Sequence, residues 1–298
     1  MVTLGMPNRL HRPRGSLETD DWRLELTPER AGWSWTSLRV LALDSTSSTA
    51  VESGEDELLI LPLEGSFVVS CGDQRLELAG RRDVFSGVTD FAYVGRRTQL
   101  TLSSPTGGRV ALPGARAGRD LPCRYGRGGD VAVELRGAGS CSRQVNNICL
   151  PGLFEADRLM VCEVLTPAGN WSSYPPHKHD ECRPGESELE EIYYYEVADG
   201  PAGGGIAYQR VYGTAERPID LLAEVRSGDV VLVPHGWHGP SMAVPGYDLY
   251  YLNVMAGPGE RAWLICNDPA HAWVRATWDA QVVDARLPFY GSDAGGTP

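Results

Sequence analysis

The sequence predicts an all-β protein built from two related domains, and three observations support this prediction. Apolar residues recur with a period of two over much of the chain, which is typical of strands that bury one face. Glycine and proline, 35 and 21 of the 298 residues, supply many turns between short strands. Long amphipathic helical patterns are nearly absent, and the β-rich stretches fall into two blocks of similar size. We therefore expect two related barrels or sandwiches.

The first β-rich block lies before residue 140. Residues 20–44 are strand-like, and residues 57–80 alternate between apolar and polar with turns at 64–65 and 72–73, which predicts a β-meander. Further strands are expected within 91–104, 109–118 and 131–139. We accordingly place an N-terminal domain at residues 1–139.

The second β-rich block defines a C-terminal domain at residues 140–298. Its strand patterns fall within 158–180, 190–197, 205–213, 220–237 and 247–257. The tail from Arg261 to Trp278 is rich in tryptophan and is expected either to be helical or to pack across the domains.

Charge and composition exclude several classes of function. The net charge of −12 repels phosphate backbones, so we expect no nucleic-acid partner. The sequence has no run of about 18 apolar residues, so we expect no membrane span. The polar, basic start is unlike a secretory signal. The seven cysteines are scattered, which favours reduced thiols and a cytoplasmic protein.

Two histidines of the second block suggest a metal site. His177 and His179 are two residues apart, so on an extended strand their imidazoles point to the same face. Glu190 and Glu191 open the next strand, and either carboxylate is placed to join them. From Glu191 onwards the same alternation puts Tyr193 on the carboxylate's face.

A third histidine completes the candidate site. His238 follows Gly228, an apolar strand at 230–233, and a turn at Pro234 and Gly236. Three neutral imidazoles and one carboxylate suit Zn, Fe, Mn, Co or Ni, so the ligand types do not select the metal. His11 lies in the terminus before the first block, and residues 20–139 contain no histidine, so we expect a metal site in the second domain only.

The remaining histidines and the lysine between the first two ligands receive other assignments. His235 is one residue away from the ligand position and is interpreted as a loop residue. His271 is interpreted as structural or as a neighbour of the site. Lys178 should point away from the metal if its strand is regular.

These residues together resemble the two-part motif of the cupin superfamily. Gly169, His177, His179 and Glu191 match its first part, and Gly228, Pro234, Gly236 and His238 match its second part. Eleven residues separate His179 from Glu191 where three or four are usual, which leaves Glu190 and Glu191 both open. Glu191 is favoured because it stands directly before the aromatic strand residues.

Longer segments resemble the 5-deoxy-glucuronate isomerase family of myo-inositol catabolism. They include "GNWSSYPPHKHD", "LEEIYYYEV", "GDVVLVPHGWH" and "GYDLYYLNVMAGP". The resemblance implies a bicupin, two double-stranded β-helix domains of which the first lacks metal ligands. It also implies conversion of 5-deoxy-D-glucuronate to 2-deoxy-5-keto-D-gluconate, an aldose–ketose isomerisation of an open-chain sugar acid assisted by a divalent ion.

Candidates for the other roles follow from this reaction. Tyr193, Tyr251 and Glu163 are candidate acid–base groups if they face the barrel interior. Arg210 and Arg143 are candidates for binding the substrate carboxylate, because a guanidinium binds it in bidentate fashion. A homo-oligomer is compatible with the sequence.

Three alternatives remain open at this stage. One is a different metal-dependent cupin enzyme, such as a dioxygenase or an oxalate-type decarboxylase, although the two-site decarboxylases have ligands in both halves. The second is a non-catalytic sugar-binding or storage cupin. The third is isomerisation of a related uronate, 5-keto-4-deoxyuronate.

Overall fold

The structure is a computed structural model and describes residues 10–290. The first half of the chain forms strands β1 (His11–Arg12), β2 (Leu24–Leu26), β3 (Thr36–Leu43), β4 (Ser48–Glu52), β5 (Asp56–Cys71), β6 (Gln74–Arg81), β7 (Phe91–Val94), β8 (Gln99–Ser103), β9 (Gly108–Arg116), β10 (Arg124–Gly126) and β11 (Ala132–Arg136).

The second half forms strands β12 (Arg143–Cys149), β13 (Met160–Thr166), β14 (Trp171–Ser172), β15 (His177–Lys178), β16 (Asp180–Arg183), β17 (Glu186–Glu188), β18 (Glu190–Val197), β19 (Ala207–Tyr212), β20 (Asp220–Val225), β21 (Val230–Val233), β22 (Ser241–Ala243), β23 (Leu249–Ala256) and β24 (Cys266–Asn267). The helical segments of the described range are short: α1 (Pro28–Ala31), η1 (Gly128–Asp130), η2 (Gly139–Cys141) and η3 (Ala272–Ala280).

The prediction of an all-β protein is confirmed. The first half forms a nine-stranded sheet around the long strand β5, and the second half forms a seven-stranded sheet and a four-stranded sheet. The seven-stranded sheet has the order β1-β21-β18-β23-β13-β12-β11, and the four-stranded sheet has the order β14-β22-β19-β20. Neighbouring strands in these sheets are antiparallel, which suits the short turns that glycine and proline provide.

The two faces of the seven-stranded sheet have different partners. On β18, Tyr193 and Tyr195 lie in a core shared with the four-stranded sheet, whose inward members include Val211. Ile192 and Tyr194 point the other way, into a core shared with the first half of the chain. The seven-stranded sheet therefore forms one wall of the second barrel and also the contact surface for the first half.

The strands do not divide between the sheets at residue 139. Residues 132–136 of β11 pair with β12, and residues 11–12 of β1 pair with β21. His11 also hydrogen-bonds Asp229 at 3.0 Å. The sheet of the second half thus recruits two strands that precede the boundary expected from the sequence, because strand pairing joins segments that are distant in the chain.

Two carboxylates, the buried Glu57 and the half-buried Glu190, join the halves reciprocally. Glu57 of the first half accepts hydrogen bonds from the backbone N–H groups of residues 157–159, at 2.6–2.8 Å. Glu190 of the second half accepts hydrogen bonds from the backbone N–H groups of residues 34–36, at 2.8–3.0 Å. Each carboxylate satisfies backbone donors of the opposite half, which stabilises the contact between the halves.

The expectation that every cysteine is reduced is wrong for one pair. Cys71 ends β5, Cys123 lies just before β10, and the two form a disulfide with a Cα–Cα distance of 6.9 Å. The other five cysteines are free thiols. The pairing links positions 52 residues apart, so chain spacing alone did not reveal it.

The chain ends bear on two further expectations. Residues 1–9, most of the polar, basic start that is unlike a secretory signal, lie outside the described residues. The tryptophan-rich tail contains η3, a 3₁₀-helix, so its helical interpretation is correct in part. None of the described helices is long and apolar enough to cross a membrane.

Candidate metal centre

The histidines from the two parts of the motif meet through the backbone. The N–H of His177 donates to the carbonyl of His238 at 2.9 Å, and the N–H of His238 donates to the carbonyl of His177 at 2.8 Å. This pairing lays two distant turns side by side, so that the imidazoles of His177, His179 and His238 offer ligand atoms that all lie within 4.8 Å of one another.

The ligand atoms of three residues converge closely. The Nε2 atoms of His179 and His238 are 3.0 Å apart, and Oε2 of Glu191 lies 3.1 Å and 2.8 Å from them. Ligands at about 2.1 Å from one ion, separated by a right angle, lie about 3 Å apart. All four side chains are at most 4% exposed. The donor types, burial and spacing therefore fit a divalent metal ion.

The protonation states of His238, His177 and Glu191 also suit a metal. Nδ1 of His238 donates to the carbonyl of Gly236 at 2.8 Å, which leaves Nε2 unprotonated towards the site. Burial and the neighbouring imidazoles lower the pKa of His177 well below its ordinary value, so its ring is neutral. Burial would raise the pKa of Glu191, but the adjacent imidazoles of His179 and His238 outweigh it, so the pKa falls and the carboxylate stays ionised.

An insertion explains the long gap within the first part of the motif. The eleven residues between His179 and Glu191 include a hairpin, in which β16 pairs with β17. After the hairpin, the N–H of Leu189 donates to the carbonyl of His179 at 2.9 Å, so the chain returns to the point from which it left. Glu191 consequently faces the histidines, whereas Glu190 points to the first half.

Lys178 lies where strand alternation predicts, on the side away from the histidines. Its ammonium is held by Asp180, Glu181 and Glu186 at 2.6–2.9 Å. Because these carboxylates occupy its donors, Lys178 secures the hairpin rather than the metal site.

Two of the candidate acid–base groups face the barrel interior. The ring of Tyr193 packs against Tyr251 at 5.1 Å and against His238 at 6.3 Å, measured between centroids. The hydroxyl of Tyr251 donates to Oγ of Ser172 at 3.2 Å. Burial raises the pKa of Tyr251 to about 12, although hydrogen bonds with Ser172 and Ser173 oppose the increase.

Glu163 does not meet the condition set for a catalytic group. Its side chain lies on the other face of β13, where Arg81 of the first half pairs with it. Tyr250 and Asn146 also donate to it, at 2.9 Å and 3.0 Å. The correction follows from strand alternation, because Cys162 and Val164 occupy the interior face.

Arg210 likewise points away from the interior, whereas Arg143 does not. The guanidinium of Arg210 is paired with Asp220 and with the carbonyl of Leu221 on the outer side of β19. The inward position belongs to Gln209, which sequence reasoning missed although the buried neighbours at 207 and 211 set the phase. Arg143 is 4% exposed and lies on the face of β12 that lines the barrel.

The remaining histidines stay outside the ligand group, as expected from the sequence. Burial and the charge of Arg217 lower the pKa of His235, which lies in the turn before the last ligand. His271 contacts the ring of Tyr174, with centroids 6.1 Å apart. Among residues 10–290, the three-histidine group is the one cluster with the spacing of a metal site.

Comparisons with known proteins agree with this architecture. The sequence profile of the KduI/IolB family matches residues 10–274. The chain belongs to the KduI/IolB family. The matched residues cover both halves of the chain. The family membership therefore applies to the half that contains the candidate metal centre and to the half that packs against it.

Two similar proteins are both named 5-deoxy-glucuronate isomerase. The chain is similar to the 5-deoxy-glucuronate isomerase of Geobacillus kaustophilus (strain HTA426), with 43% identity over 270 residues that cover 90% of this chain and 95% of the relative. It is 40% identical to the 5-deoxy-glucuronate isomerase of Bacillus subtilis (strain 168), covering 84% and 91%.

Solved structures extend the comparison to the fold. An IolB-like protein of Salmonella typhimurium LT2 superposes with a TM-score of 0.82 at 34% identity, covering 89% of this chain and 98% of that one. The oxalate decarboxylase of Lactobacillus farciminis superposes with a TM-score of 0.63 at 11% identity, covering 88% and 89%. The expected bicupin fold of this KduI/IolB family member is thereby confirmed.

Proposed function

We propose that the protein is a 5-deoxy-glucuronate isomerase, which converts 5-deoxy-D-glucuronate to 2-deoxy-5-keto-D-gluconate. The prediction of an isomerase is confirmed by curated relatives that share about 40% identity over most of the chain. The observation that supports the chemistry most directly is the convergence of Nε2 of His179, Nε2 of His238 and Oε2 of Glu191 within 3.1 Å.

We propose that His177, His179, Glu191 and His238 hold one divalent ion, which can be Zn, Mn, Fe, Co or Ni by its ligand types. Such an ion would supply Lewis-acid stabilisation of the negative charge that develops on the substrate oxygens as the sugar loses a proton. The four side chains are oriented before substrate binds. Their positions are set by the backbone pairing of His177 with His238, by the hairpin of β16 and β17, and by the carbonyl of Gly236.

Tyr251 is the proposed proton-holding group beside the substrate. Its pKa of about 12 keeps the phenol protonated at neutral pH, so it can donate a proton or a hydrogen bond to a sugar oxygen. Tyr193 is buried with a pKa raised well above its ordinary value by burial and by Glu191, so we assign it to shaping the cavity and excluding water.

The wider assignments form part of the same proposal. We place the enzyme in the cytoplasm and in myo-inositol catabolism, because its segments resemble that family. The domain at residues 1–139 holds no metal ligand, and its role is to support the second half. Glu57 accepts a hydrogen bond from the backbone of the second half, and Arg81 pairs with Glu163 there. Exposed Val133 and Leu135 on the outermost strand β11 offer a surface for a homo-oligomer.

One NMR experiment tests the activity. Purified protein, loaded in turn with each of the five metals, is mixed with 5-deoxy-D-glucuronate in D₂O, and the C1 signal and deuterium uptake at C1 are monitored. We expect the aldehyde-derived signal to decay as deuterium enters the product. Absence of product with every metal would contradict the proposal, and oxygen consumption with Fe would favour a dioxygenase instead.

A further inference from the structure

Three arginines meet beside the candidate metal centre, and two of them form no ion pair with a carboxylate among the described residues. Arg136 and Arg143 stand opposite each other in the β11–β12 ladder, and Arg275 reaches the same place from η3. Of the three, Arg136 has an ion pair, with Glu134 at 2.8 Å. Within residues 10–290, Arg143 and Arg275 form no ion pair, and Glu134 lies near enough to Arg143 for their charges to interact. This arrangement is unusual for a protein with a net charge of −12.

The guanidinium of Arg143 is buried with spare hydrogen-bonding capacity. Its Nη1 donates to the carbonyl of Cys141 at 3.2 Å, and its Nε has no partner among the described residues. A Cβ at Gly137 would lie 2.9 Å from Nη1, so the glycine leaves room for the guanidinium. Burial, together with the charges of Arg136 and Arg275, lowers the pKa of Arg143 to about 10. An anion at this place would relieve that unfavourable burial.

Two tryptophans of the tail pack on these cations. The ring of Trp278 lies 5.9 Å from the guanidinium carbon of Arg143 and 5.1 Å from that of Arg275, and Trp263 lies 5.3 Å from that of Arg136. Packing on the flat faces fixes the guanidinium planes while their edges stay available for bidentate hydrogen bonds. The indole N–H of Trp263 is a further buried donor without a partner among the described residues.

The arginine cluster is connected to the metal centre along two routes. Arg275 donates to the side chain of Asn267 at 3.0 Å, and Asn267 pairs with His177 in the β15–β24 ladder. Tyr251 is close enough to Arg136 and Arg143 for the charges to interact. A molecule with one end at the histidines would therefore have Tyr251 beside its middle and the arginines at its other end.

We infer that Arg136, Arg143 and Arg275, packed on Trp263 and Trp278, form the subsite that binds the carboxylate of the open-chain sugar acid. This inference rests on the proposed isomerase function and fixes the substrate's direction, with the carbonyl end at the histidines. Arg143 thus keeps the carboxylate-binding role expected from the sequence, and Arg210 loses it. Arg136 and Arg275, which the sequence did not single out, share the role with Arg143. The tail from 261 onwards thereby contributes to substrate specificity.

The test compares Arg143→Gln and Arg275→Gln with the matched control Arg210→Gln, whose guanidinium is paired outside the barrel. Because a hydrogen bond to a charged group is lost, kcat/KM for 5-deoxy-D-glucuronate should fall about tenfold to a hundredfold, mainly through KM. A neutral aldose that has a hydroxymethyl group in place of the carboxylate should be handled equally by all variants. Wild-type kinetics in both arginine variants would overturn the inference.

A binding measurement separates this inference from the proposed function. Calorimetry with D-glucuronate and D-glucose on metal-free protein reports the subsite without turnover. Weaker binding of D-glucuronate by the two arginine variants, with full binding by Arg210→Gln, supports the subsite even if the wild-type protein isomerises nothing. Equal or absent binding of D-glucuronate by all proteins, in the absence of turnover, would overturn both. Arg275→Gln, at the half-buried tail, keeps the test valid if Arg143→Gln fails to fold.

Discussion

Glu190 and Glu191 are neighbours in β18, and their carboxylates serve opposite sides of the strand. Oε2 of Glu191 lies 2.8 Å from Nε2 of His238, whereas Oε1 of Glu190 accepts the N–H of Ser34 at 2.8 Å. One carboxylate is therefore directed to the candidate metal centre and the other to the first half of the chain. The pair provides a matched comparison between metal binding and stability.

Glu191→Gln should lose metal. An amide is a weaker ligand than a carboxylate and brings no negative charge, so we expect metal affinity to fall about 100-fold or more. Metal content of the purified variant, measured by mass spectrometry after dialysis, checks this. Wild-type metal content in Glu191→Gln would contradict its assignment as a ligand, as would full content in His177→Ala and His238→Ala.

Glu190→Gln should keep its metal and lose stability. The amide has one acceptor oxygen for the three backbone N–H groups of residues 34–36, so about 1–3 kcal/mol of unfolding free energy should disappear. Thermal and denaturant unfolding measure this loss. If metal content fell here and not in Glu191→Gln, the two roles would have to be exchanged.

Gly239→Ala should disturb the site through packing. A Cβ at Gly239 would lie 2.6 Å from the carbonyl oxygen of Ser173 and 2.9 Å from the ring of His177, so the imidazole must move. We expect metal affinity to fall about tenfold to 100-fold. Gly246→Ala is the control, because Gly246 also has a positive φ but its Cβ would meet nothing within 4 Å. Equal metal affinity in both variants would refute the packing argument.

Glu163→Gln should act on stability and not on the chemistry. It removes the charge that balances the buried guanidinium of Arg81, so the free energy of unfolding should fall by about 3–5 kcal/mol. Arg82→Gln, at an exposed neighbouring position, should change it by less than about 0.5 kcal/mol. A stable Glu163→Gln variant with a thousandfold lower kcat would restore Glu163 as an acid–base candidate.

The sequence predicted the all-β class and, where strand alternation was applied, the face on which a residue lies. Alternation placed Tyr193 towards the interior and Lys178 away from the histidines, because the chain is extended at both positions. The same rule puts Glu163 and Arg210 on the faces of β13 and β19 that turn away from the barrel interior, so chemical type alone does not identify a catalytic or binding residue.

What the sequence could not provide depends on contacts between distant segments. Arg136 and Arg275 lie 139 positions apart and meet because β11 pairs with β12 while the tail folds over the barrel. The hairpin of β16 and β17 similarly separates Glu191 from His179 by eleven residues in sequence, although the two side chains are neighbours in the structure. Periodicity describes one segment at a time and does not report which segments become neighbours.

Tyr251→Phe should slow the chemical step while leaving metal and substrate in place. The substitution removes the hydroxyl that donates to Ser172 at 3.2 Å and lies beside the proposed path of the substrate. Loss of one positioned acid–base group typically costs about 10²–10⁴-fold, so kcat should fall by that factor with little change in KM. Deuterium uptake at C1 should slow in parallel, and metal content should equal that of the wild-type protein.

The control for this prediction is Tyr194→Phe. Tyr194 is equally buried in the seven-stranded sheet, but its hydroxyl donates to Glu196 at 2.6 Å on the face opposite the barrel interior. Losing that hydrogen bond should lower the free energy of unfolding by about 1 kcal/mol and leave kcat unchanged. If Tyr251→Phe kept the wild-type kcat, or if Tyr194→Phe lost as much activity, the proton-holding role of Tyr251 would have to be abandoned.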